Sequence, residues 1–151
     1  MKSTQEQNKE GFTLIEILVV VALIAILATI TFIAINPAKN FRDTRNAERS
    51  SDVLQILNAT TQYTSEQGHL LADLGTIPAC TGTPAAIGSG VGNVDLAATL
   101  VPDYIVGIPE DPSTGSGDGS DTGYTICEEG TGRVTIDAPG VEGGGVITVS
   151  R

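Results

Sequence analysis

Residues 12–35 form an unbroken apolar run of 24 residues in which Glu16 is the sole ionisable side chain. As an α-helix this run is about 36 Å long at ~1.5 Å per residue, enough to cross a bilayer. It follows a short hydrophilic stretch, MKSTQEQNKEG, that carries Lys2 and Lys9. A secretory signal peptide has a shorter apolar core followed by a small-residue cleavage site. Here the polar Asn36-Pro37-Ala38-Lys39 leads straight into a further helical pattern. The run is therefore expected to stay in the mature chain as a membrane-spanning helix.

Glu16 is the anomaly in that run. A carboxylate at the centre of a membrane helix costs about 2.5–3.5 kcal/mol on insertion scales, and less near an interface. One reading places Glu16 shallow, snorkelling to the headgroups. The other gives it a positive partner. Cleavage after Gly11 creates an α-amine on Phe12, one helical turn from Glu16. The same helix satisfies that pair poorly, whereas a neighbouring copy shifted along the axis satisfies it well.

The eight residues Lys9-Glu10-Gly11-Phe12-Thr13-Leu14-Ile15-Glu16, set directly before the apolar run, resemble the processing site of type IV prepilins and type II secretion pseudopilins. The resemblance implies that a membrane peptidase cuts after Gly11 and methylates the new terminus at Phe12. It implies that Glu16, with Thr13 beside it, guides subunit addition. It extends over about residues 9–67 and is loose beyond.

From residue 38 to residue 67 the chain reads as a continuing helix that turns one-sided. Val53, Ile56, Leu57, Thr60 and Tyr63 fall at helical spacing, with Leu54 and Thr61 beside them. Arg42, Arg45 and Arg49 are placed on another face, and Gly68 supplies the stop. Pro37 interrupts the combined helix, because it cannot donate to the carbonyl of Ile33. Pilins similarly carry a helix-perturbing proline in this region. Beyond the helix, strands are expected at 104–108, 124–128, 133–137 and 146–149. The middle two alternate apolar and polar residues across Glu129-Gly130-Thr131-Gly132, a hairpin signature. A helical turn is expected at 95–100. The fold class is α+β, a long N-terminal helix packed against a small antiparallel sheet, which is also what the pilin resemblance implies. The organisation expected is a leader at 1–11, a spanning and polymerising helix at 12–35, its amphipathic continuation at 36–68, and an acidic extracellular head at 69–151.

Charge and cysteine content bound the partners. From residue 70 onward there are eleven acidic residues and two basic ones, Arg133 and Arg151. Such a surface repels nucleic acid and anionic lipid, so no nucleic-acid partner is expected. The basic residues Lys39, Arg42, Arg45 and Arg49 instead form a collar just after the apolar run. The arginines of that collar are expected to pair with head carboxylates of other subunits, or else with Asp43, Glu48 or Asp52 on their own helix. Cys80 and Cys127 read as one disulfide, which needs an oxidising compartment; a reduced buried pair is the alternative.

Ile108-Pro109-Glu110-Asp111-Pro112, with the glycine-rich stretch after it, is the most suggestive segment of the head. It resembles the loop of major pseudopilins, where an x-P-x-D-P motif leads into a calcium-binding turn. On that resemblance Asp111, Asp118 and Asp121 are the calcium candidates, although the spacing is not that of an EF-hand. An acidic, flexible surface loop is the preferred reading. Glycine clusters at 88–92 and 115–123 lack the strand-loop-helix context and the Gly-Lys-Ser/Thr ending of a phosphate loop. His69, the sole histidine, follows a helix-ending glycine and is expected to face solvent. Asn58-Ala59-Thr60 is formally a glycosylation sequon lying mid-helix. No Ser/His/Asp set or metal-hydrolase spacing exists, so no enzyme is expected. The expected role is a pilin polymerising through its N-terminal helix into a surface filament for adhesion, motility or uptake. Its partners would be copies of itself, the prepilin peptidase, the inner-membrane assembly machinery and, before assembly, the cytoplasmic membrane. The alternatives are a pseudopilin of a secretion system and a minor, tip-located binding pilin.

Overall fold

The computed structural model describes residues 11–151; residues 1–10, which include Lys2, Lys9 and most of the expected leader, lie outside the described part. The chain divides into two compact units, one ending at Asn40 and the other comprising Phe41–Arg151.

The first unit is dominated by α1, Leu14–Ile35, apolar on every side and with no buried residue. Asn36 ends it in the left-handed region, at φ 44°, a conformation that asparagine tolerates better than most residues. The same Asn36 starts the next helix. Its side-chain oxygen accepts from the Lys39 amide at 3.3 Å, and Pro37 then fills the first helical position, where its missing N–H costs nothing. The interruption expected from Pro37 is therefore an Asn36-Pro37 cap, with the Asn40 amide also donating to the last α1 carbonyl, Ile35, at 3.2 Å.

The second unit is built on α2, Pro37–Ser65, of which the part from Phe41 belongs to it. Val53, Ile56, Leu57, Thr60 and Tyr63 are buried as the apolar spacing predicts, and Leu54, beside the stripe, is exposed. Against that stripe lies a four-stranded antiparallel sheet in the order β1 (Ala85–Ala86), β2 (Thr125–Glu128), β3 (Val134–Asp137), β4 (Thr148–Ser150). Ile126 and Tyr124 at β2, Val134 and Ile136 on β3, and Leu74, Ile87, Leu96 and Leu100 from the connecting segments complete one core. Each fully buried aliphatic side chain of this kind stabilises by about 1.5–3 kcal/mol. The architecture is α+β, as expected.

The β2–β3 hairpin turns across the residues its sequence marks, closed by Glu129 N donating to Arg133 O at 2.7 Å, with Gly132 at φ +80°. The other strand expectations need correction. Residues 104–108 form no strand: Tyr104 N and Ile105 N both donate to Leu100 O, continuing the turn begun by the short helix α3, Ala97–Leu100. The last strand is shifted toward the C-terminus, leaving Val146 outside it and 85% exposed. The two-residue strand β1 was not anticipated.

Cys80 and Cys127 are joined as a disulfide, with Cα atoms 4.9 Å apart. The pairing follows from backbone placement. Cys80 N donates to Glu128 O at 2.9 Å and Glu128 N to Pro78 O at 2.8 Å, so the segment before Cys80 runs along the end of β2. Closing a loop of 47 residues stabilises by roughly 4 kcal/mol in the chain-entropy treatment.

Candidate functional site

In the first unit, Gly11, Phe12 and Thr13 precede the helix in non-helical backbone and are exposed. A side chain added at Gly11 would meet nothing within 4 Å, and Phe12 is 80% exposed. Thr13 caps α1: its hydroxyl accepts from the Glu16 amide at 3.3 Å, and the Glu16 carboxylate reaches back to the Thr13 amide at 3.5 Å. Glu16 thus sits in the first turn, where a negative charge meets the positive end of the helix dipole. One long hydrogen bond still leaves most of a carboxylate's roughly four acceptor sites open. The other hydroxyls of α1 are closed within it: Thr29 donates to Ala25 O at 2.8 Å and Thr31 to Leu27 O at 2.9 Å. That self-satisfaction is what hydrocarbon demands of a spanning helix. Glu16 is the polar group it leaves incomplete.

In the second unit the collar arginines do something the sequence reading missed. Arg42, Arg45 and Arg49 are not on a face apart from the core stripe; Arg49 lies four residues before Val53, on the stripe itself, and is fully buried. Its Nε and Nη2 clasp both carboxylate oxygens of buried Asp111, at 2.6 and 3.1 Å. Nη2 also donates to Ser113 Oγ at 2.5 Å, and Nη1 to Asn46 Oδ1 at 2.8 Å and Glu142 Oε1 at 3.3 Å. All five donors of the guanidinium find acceptors. Arg45 makes a second two-pronged pair with Glu142, at 2.6 and 2.7 Å, and Asn46 exchanges two hydrogen bonds with the Glu142 backbone, at 2.9 and 3.1 Å. Arg45 and Arg49 therefore pair with the head of their own chain. For these two arginines this corrects the expectation of pairing between subunits, and the alternative of Asp43, Glu48 or Asp52.

Burial works to raise the Asp111 pKa, but Arg49 and the Ser113 and Thr114 groups more than offset it and hold the carboxyl well below the usual range. The hydrogen bond from Arg45 brings Glu142 down to about 2. Asp52, also on the buried stripe, is pushed up by its burial, while its oxygen accepts from Tyr124 Oη at 2.7 Å. Burial and that bond in turn raise the Tyr124 hydroxyl far above its ordinary value.

Asp111, the first of the calcium candidates, is engaged by the Arg49 clasp. Its Oδ1 also accepts from Ser113 N, Ser113 Oγ and Thr114 N, while Asp118 is exposed and bonded to Ser116 and Ser120, and Asp121 accepts from Gly123 N. Among the described residues no group of three His, Cys, Asp or Glu side chains is placed to hold a metal. Nor is the loop a loose one. Glu110 accepts from Gly117 N and Gly119 N at 2.6 and 2.9 Å, and Ser116 N donates to Asp121 O at 2.8 Å.

The two glycine clusters meet each other: Ser89 N donates to Gly119 O and Gly90 N to Ser120 O, both at 2.9 Å. A Cβ on Gly90 would stand 2.6 Å from Ser120 O, so glycine here permits backbone-to-backbone approach. His69 is half-buried instead of solvent-facing, its ring stacked 4.3 Å from that of Tyr63. Tyr104 donates to Glu66 at 2.8 Å beside it, which lifts the Tyr104 hydroxyl to about 12. Asn58 of the sequon is exposed, but Thr60 is buried and bonded to Ile56 O at 2.9 Å.

No curated protein and no solved structure matches this chain. Residues 7–32 match the prokaryotic N-terminal methylation motif, which spans the Gly11–Phe12 junction, the Thr13–Glu16 cap and most of α1. The chain thus carries the class III signal peptide of type IV pilins and pseudopilins, followed by a helix fit to cross a membrane and an α+β head.

Proposed function

We propose that this chain is a structural subunit, the major pilin, of an extracellular type IV pilus-like filament. The observation that carries the reading is α1: 22 residues, apolar all round, none buried by the chain itself. Lipid covers such a surface in the precursor, and the same helices of other copies cover it in a polymer. In this reading Gly11 is the last leader residue, and the peptidase cuts an exposed, non-helical junction. Phe12 becomes the N-methylated terminus. Glu16 then accepts the terminal amine of a neighbouring copy, which supplies the positive charge its own turn lacks. No step calls for an enzyme site or a cofactor, and no nucleic-acid partner suits so acidic a head. The Pro109-Glu110-Asp111-Pro112 sequence favours a second reading, a pseudopilin of a secretion system; long sheared surface filaments distinguish the first from it. Mass spectrometry of the mature protein tests the processing directly. The expected N-terminal peptide begins at Phe12 and is heavier by one methyl group; a mature chain retaining residues 1–11 overturns the reading.

A further inference from the structure

Arg42, Arg45 and Arg49 repeat at i, i+3 and i+7 along α2 and so share one helix face. The two upper members show what that face binds: Arg49 holds Asp111, and Arg45 holds Glu142, each through two charge-assisted hydrogen bonds. Arg42 is exposed, and its guanidinium has no ion pair or hydrogen bond among the described residues. Phe41 beside it is 65% exposed. Phenylalanine and arginine are both enriched at protein–protein interfaces relative to the rest of the surface.

Resting on the polymer reading above, we infer that Phe41 and Arg42 form an interaction surface for a second copy of this chain, whose acidic head supplies the carboxylate that Arg42 lacks. Charge complementarity carries the choice of partner. Of the eleven acidic residues after residue 70, Asp111 and Glu142 are engaged by Arg49 and Arg45, leaving nine. The two arginines of the head do not neutralise them: Arg133 donates to Ser150 and Arg151 to Asn58. The chain's own carboxylates thus reach the upper two arginines of the face and stop short of the third, whereas an axially displaced copy brings a fresh set. The attraction is exposed and salt-screened, over about 10 Å at 0.1 M and about 3 Å at 1 M. It therefore makes cohesion salt-sensitive without holding the head itself together.

The test uses filaments of the full chain. Arg42→Gln is expected to leave the thermal unfolding of the head unchanged, to lower the shear at which filaments break in low salt, and to abolish most of the difference between low and high salt. Arg42→Glu is expected to reduce filament yield further. Arg42→Lys is expected to restore cohesion, and it also provides an amine for zero-length carbodiimide coupling. In filaments co-assembled from isotopically light and heavy chains, the introduced lysine should couple to head peptides of the unlike isotope. Arg42→Gln filaments with wild-type salt sensitivity, together with couplings only inside one chain, overturn the inference and leave the polymer reading standing. So does an effect of Arg42→Gln confined to retention of the precursor in anionic as against zwitterionic vesicles, which assigns the surface to lipid headgroups. If the wild type makes no filaments, the polymer reading fails and takes this one with it.

Discussion

The two long helices solve the same problem in opposite ways. α1 is apolar on every side and buries nothing within its own chain, while α2 is largely polar yet buries eight residues along one stripe. A stripe can be covered by one small sheet, which the head provides; a surface apolar all round cannot, and must be covered by lipid or by other helices. The polar groups differ to match. In α1 the threonines bond to their own turns and Glu16 is left short of partners. In α2, Arg49 is as deeply buried as any core aliphatic and has every donor filled. An incomplete polar group on an uncovered helix points outward to another molecule; a completed one on a covered helix fixes its own head.

The sharpest way to break that contrast is Glu16→Ala. Removing the carboxylate eases insertion by about a kcal/mol or more, so the precursor should reach the membrane at wild-type levels. Assembly should be lost, because the charge that sets register between copies is gone. Membrane fractionation and electron microscopy of sheared surface material read the two effects separately. Normal filaments built solely from the mutant would show that Glu16 is merely a helix cap.

Arg49→Ala examines the other side. It leaves Asp111 buried without its cation, and breaking a buried pair in this way costs about 3–5 kcal/mol. The expected result is a large drop in the thermal midpoint of the head, measured by circular dichroism on the full chain in detergent, with α1 still helical. The double substitution Arg49→Met/Asp111→Leu should recover much of the loss, since no charge is then stranded. A double variant as unstable as the single one would locate the effect in packing.

These two regions were unequally legible. The spanning run and the processing motif are local features, readable from composition and spacing alone. The hairpin at 125–137 was legible too, because alternation and a glycine turn are both short-range signals. Arg49 escapes a stripe traced through apolar residues alone. Its position, four before Val53, puts it on the buried face, but a charge is buried only where partners meet its donors, and those partners lie more than sixty residues away at Asp111 and Glu142. Residues 104–108 look like a strand because Tyr, Ile, Val and Ile are β-formers. What decides their conformation is the turn wound onto Leu100, which the sequence marks only by Pro102 and Pro109. The strand of Ala85 and Ala86 has no propensity signal, since it is created by pairing with β2. The meeting of the two glycine clusters joins segments about thirty residues apart, which periodicity cannot register.

Acid titration probes the smallest difference. Asp111 and Glu142 have folded-state pKa values below their unfolded ones, the latter falling from 4.5 to about 2. For such groups the stabilisation is complete above the unfolded pKa and is lost as pH falls through the folded one. Asp52 has the opposite sign: burial raises it, so its ionised form opposes folding at neutral pH, and protonation in acid relieves that. Asp118, held down to about 2 by hydrogen bonds from Ser120 and Ser116, has the same sign as Asp111 and Glu142, and three such carboxylates against one of the other sign predict a head whose thermal midpoint is level from pH 7 to about 5. The midpoint should then decline progressively as pH falls below about 4.5. Arg45→Gln separates the contributions. It removes the main hold on Glu142 while leaving the Arg49–Asp111 clasp intact, and Arg45 is one-third exposed, so solvent screening should keep the loss at pH 7 small. In the variant the decline should begin at lower pH and be shallower near pH 4, because Asp111 and Asp118 remain depressed while Glu142 does not. A decline as steep in Arg45→Gln as in wild type would assign acid sensitivity to Asp111 and Asp118 and reduce Glu142 to a backbone anchor for Asn46.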